Sequence, residues 1–451
     1  MSAVDLRALR GSMEGFCAST LCTCDEEGLP NASMISQVHW VDEEHVALSY
    51  QFFNKTRRNL LATRQACVQL FDPSTLAIHR LDLDYVETRT SGPLFETMKA
   101  KLAGIASHHG LEKVFRLLGA DVFRVVAVEQ VQPPTARAPC RRVPLLSAVR
   151  ACVEDLSLCP DFDDLADAVL DGMVRHLGIS NAILLMAEGD GRLFALGSRG
   201  YAISGIGAEI LPGEGVIGVA AREGVPIRIG HMSADYRYGA ALGAAARSAG
   251  LLADEPPGVP FPGLGTPHSQ IAVPVMAAGR VLGVLFAESA EVMRFDHECE
   301  DALMLVATQL GAMMALLREE DAEEKPPANV PAVVAGGGVT IRHYPRDDSV
   351  FIGHDYLIKG VAGAILWRLM REHAATGRTD FTTRELRLDR SLKLPDHAEN
   401  LDARLVLLRR RLEERGACLH IEKTGRGLFR LVCRCRITLE DAGEADAIEV
   451  A

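Results

Sequence analysis

The stretch EEDAEEKPPANVPAVVAGGG at 319–338 limits most strongly how this chain can fold. Acids come first, then Pro326, Pro327 and Pro331, then three consecutive glycines, with neither helical nor strand periodicity. Such a composition buries nothing and reads as a flexible linker. VQPPTARAPCRR at 131–142 is a second, milder interruption. A chain of 451 residues is already too long for one ordinary core. The two seams therefore predict three units, at 1–132, 143–320 and 339–440, with 321–338 as linker. No repeat of fixed period is present.

Charge is distributed unevenly. The formal net charge of −12 argues against a uniformly basic nucleic-acid coat or a membrane-surface protein. Yet Arg404 to Arg436 holds ten Lys or Arg against three Glu, a local surplus of seven positive charges. The opening MSAVDLRALRGSMEGF has charges where a signal peptide needs an apolar core. No apolar run approaches the ~18–20 residues that span a bilayer. A cytoplasmic protein with no membrane partner is expected, its eleven cysteines reduced.

Before the first seam the pattern is strand-like. FCASTLCTCD, PNASMISQVHWV and HVALSYQFF are separated by the turn signals EEG and DEE, which predicts an antiparallel meander. With ACVQLFD, AIHRLDLDYVETRT and VFRVVAVEQV added, and short helices at about 55–63 and 93–106, a small barrel is expected. In QFFNKTRRNL three cations stand where a strand becomes a helix. Exposed N–H groups and the helix dipole favour an anion there, and Lys55 and Arg58 share a face able to fork a phosphate. A solvated helix start accounts for the same pattern. Residues 12–130 resemble the FMN-binding split barrels of the pyridoxamine-phosphate-oxidase type. That resemblance implies FMN, with haem as alternative, held by Ser49, Gln51, Asn54, Lys55 and Arg58 in a homodimer. Cys17, Cys22 and Cys24 are read as small buried residues, and no metal set is expected.

Between the seams, the spacing predicts one helix over 145–177, then strands, a Gly-rich helix entry at 213–222, two more strands and a closing helix at 296–318. GEGVIG at 213–218 matches a dinucleotide fingerprint by letters alone, since Leu211-Pro212 precedes it and Glu214 puts a negative charge in the loop. His297 and Cys299, two apart on a helix, face different ways and are not read as a metal pair. LPGEGVIGVAAREGVPIRI, SQIAVPVMAAGRVLGVLFAES and FDHECEDALMLVATQLGAMMAL follow one another as in GAF sensory domains, which 145–320 resembles. The resemblance implies a small-molecule effector in a pocket covered by 230–268; dimerisation alone is the other use of such a fold.

After the linker, FTTREL offers a threonine N-cap, and a helix from about Glu399 to Arg415 carries Leu401, Leu405, Leu408 and Leu412 as its core stripe. Arg404, Arg409, Arg410 and Arg411 occupy its other faces, and CLHIEKTGRGLFRLV reads as a hairpin. A solvated charged helix would share these features. The segment 348–434 resembles the winged-helix effector domains of OmpR/PhoB-type response regulators. That implies double-stranded DNA as partner, with base reading by Asn400 and Arg404, phosphate contacts from Arg409, Arg410 and Lys423, and Arg426 on the wing.

The expected fold class is thus multidomain α+β: split β-barrel, GAF α/β sandwich and C-terminal winged helix. The expected function is a one-component transcriptional regulator sensing a redox or small-molecule signal. The alternatives are an FMN-dependent oxidoreductase regulated by its GAF domain, or a non-catalytic scaffold. No catalytic constellation stands out by spacing.

Overall fold

The structure, a computed structural model, describes residues 6–13, 19–35, 38–50, 54–72, 75–108, 117–135, 143–230, 259–319, 338–392, 401–415, 418–425 and 427–442. It is a multidomain α+β protein.

The first unit holds α1 (Arg10–Met13), β1 (Ser19–Cys24), β2 (Pro30–Ile35), β3 (Val38–Trp40), β4 (His45–Tyr50), α2 (Asn54–Thr63), β5 (Gln65–Phe71), β6 (Ile78–Arg89), α3 (Pro93–His108) and β7 (Gly119–Gln132). Its strands form one sheet in the order β2-β1-β5-β6-β7-β4-β3, curled as a half-barrel. Period-two alternation sends Leu21, Val68, Leu70, Leu81 and Leu83 into its interior. The long β6–β7 ladder shifts register three times. Each such bulge bends and twists a strand, which lets a wide sheet curl. Strand β4 is buried on both faces because Val46 and Leu48 fill the barrel while Ala47 packs in a second cluster with Phe95, Met98 and Leu102 of α3.

The outward face of β1 carries Cys22, which is exposed, and Cys24, which is half-buried. This corrects the expectation of buried small residues; Cys17 lies outside the described residues. Alternation alone explains it, since Leu21 and Thr23 take the inner positions.

The second unit holds α4 (Leu145–Ser157), α5 (Phe162–Arg175), β8 (Asn181–Ala187), β9 (Leu193–Arg199), β10 (Glu209–Ile210), α6 (Gly215–Glu223), β11 (Ile227–Ile229), β12 (Ser269–Ala277), β13 (Arg280–Ser289) and α7 (His297–Glu319). The sheet is antiparallel, in the order β10-β9-β8-β13-β12-β11. Helices α4, α5 and α7 cover one face through Leu156, Leu165, Val169, Val306 and Leu310, and α6 covers the other through Val216, Ile217 and Val219. Strands covered on both sides have no polar face, hence the unbroken run AILLM in β8.

The single helix expected over 145–177 is two. The chain breaks at Leu158–Pro160, and the Asp161 carboxylate then caps α5, accepting from the amides of Asp163 (2.9 Å) and Asp164 (3.1 Å). In GEGVIG, a Cβ on Gly218 would lie 2.3 Å from the Leu211 carbonyl oxygen, so that glycine serves close packing. What precedes it is a two-residue edge strand in an antiparallel sheet, unlike the buried parallel strand of a dinucleotide site. Helix α7 is, by length and composition, apolar enough to cross a membrane, where the sequence predicts no run of that kind. It lies along β12 and buries Leu303, Val306, Ala307, Leu310 and Met314 in the core.

The third unit holds β14 (Gly338–Tyr344), β15 (Ser349–Ile352), β16 (Asp355–Ile358), α8 (Gly360–Thr376), β17 (Asp380–Thr382), α9 (Thr383–Leu388), α10 (Leu401–Glu414), β18 (Leu419–Gly425), β19 (Leu428–Cys433) and β20 (Arg436–Asp441). One sheet runs β16-β15-β14-β20 and a second β17-β19-β18. Thr382 caps α9, its hydroxyl accepting from the Glu385 amide at 3.0 Å. Cys418 and Cys435 form a disulfide at the open end of the β18–β19 hairpin, where reduced thiols were expected. A single apolar core runs from the second unit into the third, from Leu165 and Met314 through to Leu408 and Phe429. The first unit meets the second where α3 lies on α6 and β11, and where Arg10 reaches Asp301 at 3.5 Å.

Candidate functional site

Two cationic helices carry the candidate chemistry. The first is α2, which begins four residues after β4. Its inward face is polar and built: Asn31 Nδ2 donates to Thr56 Oγ1 at 2.9 Å, Ser33 Oγ lies 3.2 Å from the same hydroxyl, and Asn59 Nδ2 donates to Thr23 Oγ1 at 3.4 Å. Arg57 also turns inward. It meets Asp121 at 2.5 Å and Thr88 Oγ1 at 2.7 Å, and lies 4.6 Å from the Tyr50 ring centroid. Burial opposes the Arg57 charge, but adjacent Asp121 more than offsets this and its pKa is raised.

Lys55 and Arg58, by contrast, are exposed, and neither has a hydrogen bond or ion pair among the described residues. Ser49 is buried, and strand alternation puts it on the side of β4 that Ala47 turns toward α3. Gln51 and the side chain of Asn54 lie outside the described residues. Of the five residues assigned to a flavin, the helix start therefore displays two free cations. Arg57 and Asp121, which anchor the helix, were missed; they are 64 residues apart, and only β7 beside β4 brings them together.

The second helix is α10. Its expected core stripe holds in part: Leu401, Leu408 and Leu412 are buried, while Leu405 is half-buried. The cations expected on free faces are covered instead. Arg404 is 7% exposed and Arg410 is 9% exposed. Arg404 pairs with Glu188 at 2.5 Å and stacks 5.0 Å from the Phe194 ring. Arg410 reaches Asp163 at 2.9 Å and Asp167 at 3.0 Å, and donates to the Leu196 carbonyl at 3.1 Å. Arg409 also pairs with Asp163, and Lys423, on β18, pairs with Asp161. Asn400 and Arg426 lie outside the described residues.

The physical reason is that α10 is sandwiched. One side packs against α8 and β18 of its own unit, and the other against α5 and β9 of the second unit. Burial pulls down the pKa of Arg404, Arg409 and Arg410, with Glu188, Glu413 and Asp167 countering respectively. Guanidinium stays charged regardless. Glu188 is pushed up by burial against the pull of Arg404 and Arg192. Between the units lies a cavity of 120 Å³, walled by Phe162, Met314, Leu317, Leu405, Val406 and Phe429, with Asp161, Asp163, Arg409 and Lys423 at its edge.

No curated protein matches the chain. Solved structures that share local likeness with it include the following three. An FMN-binding protein from Syntrophomonas wolfei subsp. wolfei is 19% identical over 28% of this chain and 88% of its own, with TM-score 0.25. The GAF domain of an Acinetobacter phosphoenolpyruvate-protein phosphotransferase is 17% identical over 39% of this chain and 95% of its own, with TM-score 0.30. Free methionine-R-sulfoxide reductase from Neisseria meningitidis, in complex with its substrate, is 19% identical over 39% and 90%, with TM-score 0.30. What those proteins bind does not transfer to this chain at such scores. The family model for the GAF domain matches residues 159–315, so the middle of this chain is a GAF domain.

Proposed function

We propose that the chain is a one-component transcriptional regulator, in which the half-barrel and the GAF domain sense and the third unit binds operator DNA as a winged helix. The observation that carries this reading is the concentration of cations on α10 and the following hairpin, in a chain of net charge −12. Helix α9, helix α10 and the β18–β19 hairpin follow in the order of a helix-turn-helix with a wing. On this reading Arg404 and Asn400 read base edges, Arg409, Arg410 and Lys423 bind phosphates, and Arg426 extends the wing.

Signal entry is assigned to a flavin whose phosphate sits on Lys55 and Arg58, and to an effector of the GAF domain. Free cations at a helix start suit a phosphate, because the N–H groups and dipole act in the same direction. FMN, if bound, supplies redox chemistry; Lys55 and Arg58 hold its phosphate, and Arg57 with Asp121 fixes the helix that presents them. A homodimer would match the two halves of a palindromic operator.

The test is fluorescence anisotropy of the full chain against random and genomic duplexes over a salt series. Phosphate binding predicts a slope of log affinity against log salt of about −0.9 per phosphate contacted, and a shift of about 1 on Lys423→Ala. Absence of any salt-dependent binding, in wild type and in charge variants of the covering helix alike, overturns the reading. For the flavin, the visible spectrum of the purified protein is read before and after Lys55→Ala/Arg58→Ala.

A further inference from the structure

The arginines and lysine to which the proposed function gives phosphates and bases are already engaged by carboxylates. Arg404 ends on Glu188, Arg409 and Arg410 on Asp163, Arg410 also on Asp167, and Lys423 on Asp161. Three of these four acids sit at the start of one helix, α5, and Asp163 and Asp167, four apart, share a face. The fourth, Glu188, follows β8 directly and flanks them. We propose that this acidic face of the GAF domain is a docking surface that imitates a phosphate backbone, so that the GAF domain and DNA compete for α10. The inference rests on the DNA-binding reading.

Geometry excludes both at once. A major groove is about 12 Å wide and admits a helix whose reading face is free. Helix α10 buries Leu408 and Leu412 in the core that the two units share, while its Ala403, Leu405 and Val406 line the cavity at the seam together with Phe162, Met314 and Leu317 of the GAF domain. DNA therefore reaches α10 only after the units part.

The seam joins the units by apolar packing within one continuous core and by ion pairs, with a cavity of 120 Å³, half open to solvent, along it. Beside that packing the ion pairs hold the units, and two of their arginines are almost wholly buried. Buried pairs return little net stability over apolar packing, but removing one partner strands a charge that must regain water. Opening rehydrates every charge at once, and a duplex then supplies replacement anions at high density. A signal that shifts α5 relative to β9 acts first on Arg410, which holds Asp163 and Asp167 of α5 and the Leu196 carbonyl of β9 together. Gly197 shows how closely Arg410 fits: a Cβ there would lie 2.7 Å from its Nη1.

The test compares the full chain with Asp163→Asn/Asp167→Asn and, independently, with Glu188→Gln. Asn and Gln keep shape and remove charge, and near-ultraviolet circular dichroism checks that each variant is folded. Anisotropy measures affinity for a 30-base-pair duplex, and small-angle scattering without DNA measures the radius of gyration. We expect each variant to be more extended than wild type and the double variant to bind duplex at least tenfold more tightly. Equal affinity in wild type and both variants, or variants as compact as wild type, overturns the competition. Variants that extend while none of the proteins binds DNA overturn the DNA-binding reading instead.

Discussion

Helices α2 and α10 look alike as sequence and differ as structure. Each opens or carries a cluster of basic residues beside apolar ones. In α2, one cation of three, Arg57, is turned inward to Asp121, and Lys55 and Arg58 stay in water. In α10, Arg404, Arg409 and Arg410 all end on carboxylates of another unit. A run of charge therefore does not say whether it waits for a ligand. What decides is where the chain's own acids come to lie, and those of α5 lie against α10 while none is placed against Lys55 or Arg58 among the described residues.

The sharpest way to break the comparison is to exchange the roles. Arg57→Ala leaves Asp121, 6% exposed, without its cation. Stranding a buried charge costs about 3 kcal/mol or more, and urea denaturation of the full chain should show a destabilised first transition. Lys55→Ala and Arg58→Ala, three residues apart on the same helix, should each change stability by less than about 0.5 kcal/mol, while removing any bound flavin.

Asp161 sharpens the other side, because it both caps α5 and holds Lys423. Asp161→Ala should cost about 1 kcal/mol for the cap and open the seam as well. Lys423→Ala, on a side chain 39% exposed, removes the same pair but leaves the cap, and should cost less than about 1 kcal/mol. The difference between the two, read by thermal denaturation, isolates the cap.

The smallest effect is in pH. Burial raises the Asp161 pKa, but hydrogen bonds from Lys423 and from the Asp164 amide outweigh it, and the carboxyl is held below its usual range. A depressed native pKa contributes stability above the unfolded value of about 3.9 and loses it as pH falls through the native value. Scattering should therefore show the Asp161–Lys423 contribution to the closed seam intact at pH 5 and fading only below about pH 4.

Local elements were legible because their causes are local. The change from β4 to α2 is written in HVALSYQFFNKTRRNL, and the α9 cap in FTTREL. The break between α4 and α5 was equally local, in CPDFDD, but the apolar spacing on either side of Pro160 masked it. Arg404 and Glu188 are 216 positions apart, and no periodicity in α10 announces a partner outside its own unit. An amphipathic pattern predicts one buried stripe and one wet face, which fails for a helix packed between two units. The Cys418–Cys435 bond was likewise invisible to an argument from compartment, since what joins those residues is the pairing of β18 with β19.

Hydrogen exchange on the full chain, with and without saturating duplex, tests the central claim most directly. If DNA displaces the GAF domain from α10, amides in the first turns of α5, at 162–167, exchange faster when duplex is bound, while 401–414 remain protected. Bound duplex with unchanged or slower exchange at 162–167 would contradict the account, because α10 would then be meeting DNA without leaving α5.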